Sequence, residues 1–221
     1  MPSIAIDGPS GVGKSTLSRA LAKKLGYIYI DTGAMYRAIT LHALRQGIDP
    51  TDELTLTAAL PGIKLSISYR DGEQRVFLGD DDVSEEIRSE RVTNTVSFPS
   101  AMPAVRSRLV DIQRDMAKNS NVLMDGRDIG TVVLPDADIK IFLTASAEER
   151  ARRRLADFIA MGENISLEDV LADIIRRDNL DSSREASPLR RADDAILVDT
   201  TPNTFEQSLE QLYNLIRERG L

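Results

Sequence analysis

The chain has 221 residues, 42% hydrophobic and 29% charged, with 28 basic against 35 acidic side chains and a formal net charge of −7. That length allows one sizeable domain burying about 70% of its unfolded surface, and the acidic balance argues against gripping nucleic acid or anionic lipid through the overall field. Cysteine is absent and histidine occurs once, at His42, which excludes disulfides, thiolate catalysis and histidine-rich metal sites.

Ser3 to Asp7 (SIAID) reads as a first strand. Leu17, Leu21 and Leu25 then recur at four-residue steps and mark a helix ended by Gly26. Tyr27 to Ile30 (YIYI) is a second strand, after which Asp31-Thr32-Gly33 opens a helix bearing Tyr36 and Arg37, with His42 on its surface. In Ile63–Tyr69 apolar and polar residues alternate strictly, Asp71-Gly72 signals a turn, and Arg75–Leu78 returns. That is the pattern of a half-buried antiparallel hairpin, inserted within about residues 60–92. Val105, Leu109, Ile112 and Met116 mark the next helix. Val122 to Asp125, Ile139 to Leu143 and Ala195 to Asp199 are three more strands. Between the last two, Ser146 and Glu149 form a capping box before a helix over Glu149–Met161 stopped by Gly162. Ser166 caps another helix marked by Leu167, Val170, Leu171, Ile174 and Ile175. Thr204 and Gln207 box the last helix, which ends at Gly220. The five strands do not alternate cleanly, as expected of a parallel sheet covered on both faces. No apolar run approaches the roughly 18 residues of a membrane span. The opening MPSIAID has no basic n-region, so a cytoplasmic chain is expected.

Gly8-Pro9-Ser10-Gly11-Val12-Gly13-Lys14-Ser15, followed by Thr16, fits G-x-x-x-x-G-K-[ST] and lies between a strand and a helix, as that motif requires. Backbone N–H groups and the helix N-terminus would cradle phosphates, Lys14 would reach the β- and γ-phosphates, and the Ser15 hydroxyl would ligate Mg²⁺. The pattern implies a nucleoside-triphosphate site on an α/β, P-loop NTPase-type parallel five-stranded sheet with flanking helices, a small antiparallel β insert and a helical lid. The D-x-x-G and N-K-x-D strings of a GTPase and the LSGGQ of a transporter ATPase are missing. Residues 147–191 hold nine of the 22 arginines and none of the six lysines. Arginine forks suit phosphate oxygens, and the segment reads either as a phosphate-closing lid or, in part, as salt-bridged helix surface. Asp31-Thr32-Gly33 and Asp125-Gly126-Arg127-Asp128 each follow a strand, at the sheet edge where ligands bind. Both are also plain turn chemistry. Asp125 could hold a magnesium-bound water.

The strings GPSGVGKST, DTGAMYR, SFPSAMPAVR, DGRDIGTVVLPDA and RRDNLDSSREASPL occur in this order, and together they resemble the bacterial cytidylate kinases over essentially the whole chain. The hairpin resembles the extra β-rich patch of that branch. The resemblance implies one nucleoside-monophosphate-kinase domain over residues 1–221, with the insert at about 60–92 and a lid at about 147–185. It implies transfer of the γ-phosphate of ATP to CMP or dCMP with Mg²⁺. Carried over by position, Arg37, Arg127 and Arg184 would hold the acceptor phosphate, and Ser97, Arg106 and Asp128 would read the cytosine. Arg177 and Asp181 would hold the ribose hydroxyls, and Thr32 would line the acceptor site. Arg150, Arg153 and Arg154 are lid candidates, with Arg154 the one assigned to catalysis alongside Lys14, Arg127 and Arg184.

The chemistry of the base agrees with this assignment. Cytosine presents an N4 amino donor where uracil presents an acceptor, so a carboxylate at Asp128 would favour the first. The expected partners are small molecules acting on a monomer, with no nucleic acid and no membrane. The rivals are another small-acceptor P-loop kinase and, more distantly, a nucleotide-dependent switch.

Overall fold

A computed structural model describes residues 1–70, 72–160 and 162–221. Asp71 of the expected hairpin turn and Met161 at the expected helix end lie outside the described residues. Strand β1 (Ser3–Asp7) leads through the glycine-rich loop into α1 (Lys14–Leu25). Next come β2 (Ile28–Asp31), α2 (Thr32–Arg45) and a short α3 (Glu53–Ala59). The insert is β3 (Leu65–Arg70), β4 (Glu73–Leu78) and a two-residue β5 (Asp81–Asp82), followed by a 3-10 turn at Glu86–Arg88. The short α4 (Glu90–Thr95) and the long α5 (Pro103–Ala117) bring the chain back to β6 (Val122–Gly126) and a π-turn at Ile129–Val133. Then follow β7 (Ile139–Thr144), α6 (Ala147–Ala160), α7 (Leu167–Ser183), β8 (Ile196–Asp199) and α8 (Phe205–Arg217).

The large sheet runs β2-β6-β1-β7-β8 with every pair parallel, and the insert is a separate antiparallel sheet ordered β3-β4-β5. The apolar strands follow from two-sided burial. Ala5, Ile30 and Met124 face a layer built with Met35 and Ile39 of α2 and Val105 and Leu109 of α5. Ile4, Ile6, Leu123 and Ile141 face Leu17 and Leu21 of α1 and Leu212 and Ile216 of α8. Both faces of the inner strands are covered, so these strands carry no polar alternation. The insert obeys the opposite rule, because only one side is covered. Val76 of β4, with Val83, Ile87 and Val92, packs on Ala34, Ala38 and Leu41 of α2.

Element boundaries differ from the expectations in places. The second strand starts at Ile28 and includes Asp31, and the fifth starts at Ile196, because pairing rather than apolarity ends a strand. Helix α6 begins at Ala147, two residues early. Ser146 Oγ does accept from the Glu149 amide at 3.2 Å, but the Ser146 amide donates to Thr201 Oγ1 at 3.0 Å. Glu149 is drawn off by Arg152 and Arg153, each at 3.0 Å, so only half of the expected box forms. The Thr204–Gln207 box is complete. Helices α3 and α4 were not expected; each is two turns or fewer and leaves no periodic signature.

Candidate active site

The carboxyl ends of β1, β2 and β6 open into a cleft of about 1580 Å³ that continues beneath α6 and α7. At one end lies the glycine-rich loop. Ser10 to Thr16 line the cleft, while Gly8 and Pro9 sit behind it. A Cβ on Gly8 would stand 2.3 Å from the carbonyl oxygen of Leu143, so close packing of the loop on β7 requires glycine there. Lys14 is buried and donates from Nζ to the carbonyl of Pro9 at 2.8 Å. Burial, and then the charge of Arg127, push its ammonium down to a pKa of about 7. An anionic phosphate in the loop would reverse that.

Beside the loop, Asp125 at the end of β6 accepts from Ser15 Oγ at 2.9 Å and from Tyr29 Oη at 2.8 Å. Thr32 Oγ1 donates to the Asp125 carbonyl at 2.7 Å. Burial, with Asp31 nearby, raises the Asp125 carboxyl to about 6. A serine hydroxyl and one carboxylate are hard oxygen donors of the kind a Mg²⁺ ion accepts while keeping most of its water. Among the described residues no group of three or more acids or histidines forms a protein cage for a metal. Magnesium in this cleft would therefore lean on the nucleotide and water.

The other end of the cleft is built from charge pairs. Arg37 on α2 reaches Asp31 at 2.8 Å, and Asp31 caps α2 by accepting from the Ala34 amide at 2.9 Å. Against burial, which raises it, Arg37 and Arg88 hold the Asp31 carboxyl below its ordinary range. Its contribution to stability is complete above the ordinary carboxylate pKa near 4 and is lost as acid reaches its lower folded-state value. Arg106 of α5 forms a buried pair with Asp128 Oδ2 and also donates to the Ser100 carbonyl at 2.9 Å. Ser97 lines the same wall. Arg127 Nε donates to Asp181 Oδ2 at 2.7 Å, and Arg184 Nη1 lies 3.9 Å from Asp181 Oδ1. Asp181 thus sits between two guanidiniums, which hold it below the usual range against the raising effect of burial. Arg184 also donates to the carbonyl of Ser187, a non-glycine residue at φ 52. Arg177 pairs with Asp173 at 2.8 Å and donates to Asn94 of α4 at 3.2 Å.

Four buried guanidinium nitrogens on the cleft walls, Arg37 Nε, Arg106 Nε, Arg177 Nε and Arg184 Nη2, have no hydrogen-bond partner among the described residues. Buried donors of this kind are normally satisfied, and their chemistry suits a polar or anionic ligand.

The three lid candidates part company. Arg150 is buried, forks onto Asp178 at 2.7 and 3.1 Å and donates to the Ser10 carbonyl at 2.9 Å. It ties α6 and α7 to the loop rather than facing the cleft. Arg153 is taken up by Glu149 and the Thr200 carbonyl at 2.7 Å. Arg154 lines the cleft and stands 5.2 Å from the ring centroid of Phe158. Asp7, at the end of β1, gives little sign of its role in the sequence. Its carboxylate accepts from the Ile129 and Gly130 amides at 2.8 Å each and so pins the π-turn that follows Asp128. A strand-terminal acid just before the loop was its only signal. Tyr29, Arg88 and Asn94 are equally silent, because their partners Asp125, Asp31 and Arg177 are distant in sequence.

A parallel sheet whose central strand runs through a phosphate loop into α1, facing an arginine-bearing helix pair, defines a P-loop kinase. A shikimate kinase from Bacteroides thetaiotaomicron shares this fold, with a TM-score of 0.50 at 14% identity and 98% of each chain covered. The Cytidylate kinase family profile matches residues 4–218. The cytidylate kinase of Mycolicibacterium paratuberculosis is 53% identical over 218 residues, covering 98% of this chain and 96% of that one. That of Corynebacterium glutamicum is 53% identical over 214 residues, covering 96% and 93%. The chain belongs to the cytidylate kinase family.

Proposed function

We propose that the chain transfers the γ-phosphate of ATP to CMP and dCMP, with Mg²⁺, giving ADP and CDP or dCDP. The observation that carries this reading is the Asp128–Arg106 pair at the end of the cleft opposite the loop. Arg106 takes Asp128 Oδ2, which leaves the other carboxylate oxygen of this cleft residue for the N4 amino group of cytosine. Ser97 and the unpartnered Arg106 Nε lie on the same wall and can donate to the base. Arg37, Arg127 and Arg184 clamp the acceptor phosphate, Thr32 lines its site, and Arg177 and Asp181 address the ribose. Ser10 to Thr16 enclose the phosphates of ATP, with Gly8 and Pro9 shaping the loop from behind, Lys14 on the β- and γ-oxygens and Arg154 closing from the lid.

Magnesium, held through Ser15 and the Asp125 carboxylate with water between, would neutralise charge developing on the transferred group. The acceptor phosphate is already anionic, so the residues orient and neutralise rather than remove a proton. We read the chain as one monomeric domain with the insert at about 60–92 and the lid at about 147–185. Among the described residues no helix is long and apolar enough to cross a membrane, and a cytoplasmic location suits a kinase of small metabolites. The test is ADP release with each common nucleoside monophosphate. The expected result is a sharp acceleration by CMP and dCMP; a larger acceleration by another acceptor overturns the reading.

Two phosphates must meet with water excluded, so α6 and α7 are expected to close on ligand. Hydrogen exchange over residues 147–185 is expected to slow when ATP and CMP are both present. Unchanged exchange there would make its arginines surface groups.

A further inference from the structure

Strand β2 is an edge of the large sheet, paired with β6 on one side only. Its last residue, Asp31, is 5% exposed, so its outward backbone groups need partners. Both are supplied by a side chain of the insert. The Asp31 amide donates to Gln74 Oε1 at 2.9 Å, and Gln74 Nε2 donates to the Asp31 carbonyl at 3.1 Å. The carboxamide of Gln74 thereby does for one residue what a neighbouring strand would do for a whole edge.

The clasp falls on the residue that fixes Arg37. The Asp31 carboxylate caps α2 and holds Arg37 at 2.8 Å, and a second insert residue, Arg88, stands 3.6 Å from the same oxygen. The backbone and the charge of Asp31 are therefore held from the insert on one side and from α2 on the other. When Arg37 turns toward a phosphate, Arg88 is placed to keep the buried Asp31 carboxylate neutralised. Gln74 itself lies outside the main cleft, on a smaller cavity behind it. Its hydrogen bonds to the cleft residues run to Asp31.

We infer that Gln74 is a positioning residue for the acceptor site: the insert sets Arg37 on the acceptor phosphate through the Gln74–Asp31 clasp. This rests on the proposed role of Arg37 toward a nucleoside monophosphate. The apolar seam between the insert and α2 does not involve Gln74, so a variant lacking the clasp keeps the insert docked.

The experiment compares the parent with Gln74→Met, which keeps length and bulk but removes both hydrogen bonds. The expected result is a KM for CMP raised about tenfold, with kcat and the KM for ATP within about twofold. Faster exchange of the Asp31 amide and unchanged inhibition by cytidine, which lacks the phosphate, are expected with it. An unchanged KM for CMP overturns the inference. So does a parallel loss in kcat, both KM values and Tm, since that is what a merely structural role would give. If the parent shows no CMP-dependent turnover, the substrate reading fails instead. The same comparison is then made with whichever monophosphate the screen finds, because the clasp acts on the phosphate and not on the base.

Discussion

Lys14→Ala is expected to fold as the parent does and to lose phosphoryl transfer by two to three orders of magnitude in kcat, the usual effect of removing one donor aimed at developing charge. The structure supports both halves. Among the described residues the Lys14 side chain makes one hydrogen bond, to the Pro9 carbonyl, and the loop is also held by Val12 in the core and by the fit of Gly8 against Leu143. Burial first, and Arg127 second, depress the ammonium to a pKa of about 7. A lysine depressed on folding destabilises the fold most below that value, and the penalty fades as pH rises toward the ordinary lysine pKa near 10.4. Alanine removes the penalty, so the variant's Tm at neutral pH is expected to be no lower than the parent's. Circular dichroism and a coupled ADP assay read the two halves separately. Retention of more than a tenth of kcat would show that the loop lysine is not on the phosphates.

The second large effect concerns the base. A charge-assisted hydrogen bond from cytosine N4 to Asp128 is worth on the order of 1.5–3 kcal/mol. With uracil the carboxylate faces O4, losing a bond and gaining repulsion, and sites built on a buried polar pairing reject such mismatches strongly. CMP is therefore expected to exceed UMP in kcat/KM by at least about a hundredfold. Asp128→Asn keeps the shape and can turn an amide donor toward O4, so activity on CMP is expected to fall and the gap to UMP to narrow. Breaking a buried ion pair costs about 3–5 kcal/mol when one charge is left uncompensated, so the variant will be less stable around Arg106. The ratio of the two substrates on the same protein is insensitive to that loss. Equal declines on CMP and UMP would mean that Asp128 orders the turn after β6 and does not read the base.

The phosphate loop was legible in the sequence because its signature is local: strand, glycines, lysine and helix lie in one run. The insert was legible in Ile63–Tyr69 because a sheet covered on one side must alternate. The order of the five strands was not, since two-sided burial makes them chemically alike. The arginines show the same limit within the site. Arg150, Arg153 and Arg154 are near neighbours in sequence, yet Arg150 lies off the cleft and Arg153, though on its wall, has its guanidinium already engaged. The difference lies in Asp178 and Ser10 for Arg150 and in Thr200 for Arg153, contacts that no local pattern announces. The clasp of Gln74 was equally silent, because a glutamine in an antiparallel hairpin looks like any solvated polar residue.

The central place of β1 has a consequence for how the protein is made. Ser3 pairs with Val122 and Ile4 with Ile139, so the strand that carries the phosphate loop finds its neighbours only far along the chain. Contacts of such long sequence separation form late and slowly. A chain still emerging from the ribosome holds the loop motif, Gly8 to Ser15, well before β6 and β7 have followed to pair with β1. The insert and α2, whose contacts are nearer neighbours, can gather first. A folded phosphate loop is thus acquired only after β7, Ile139–Thr144, has been made.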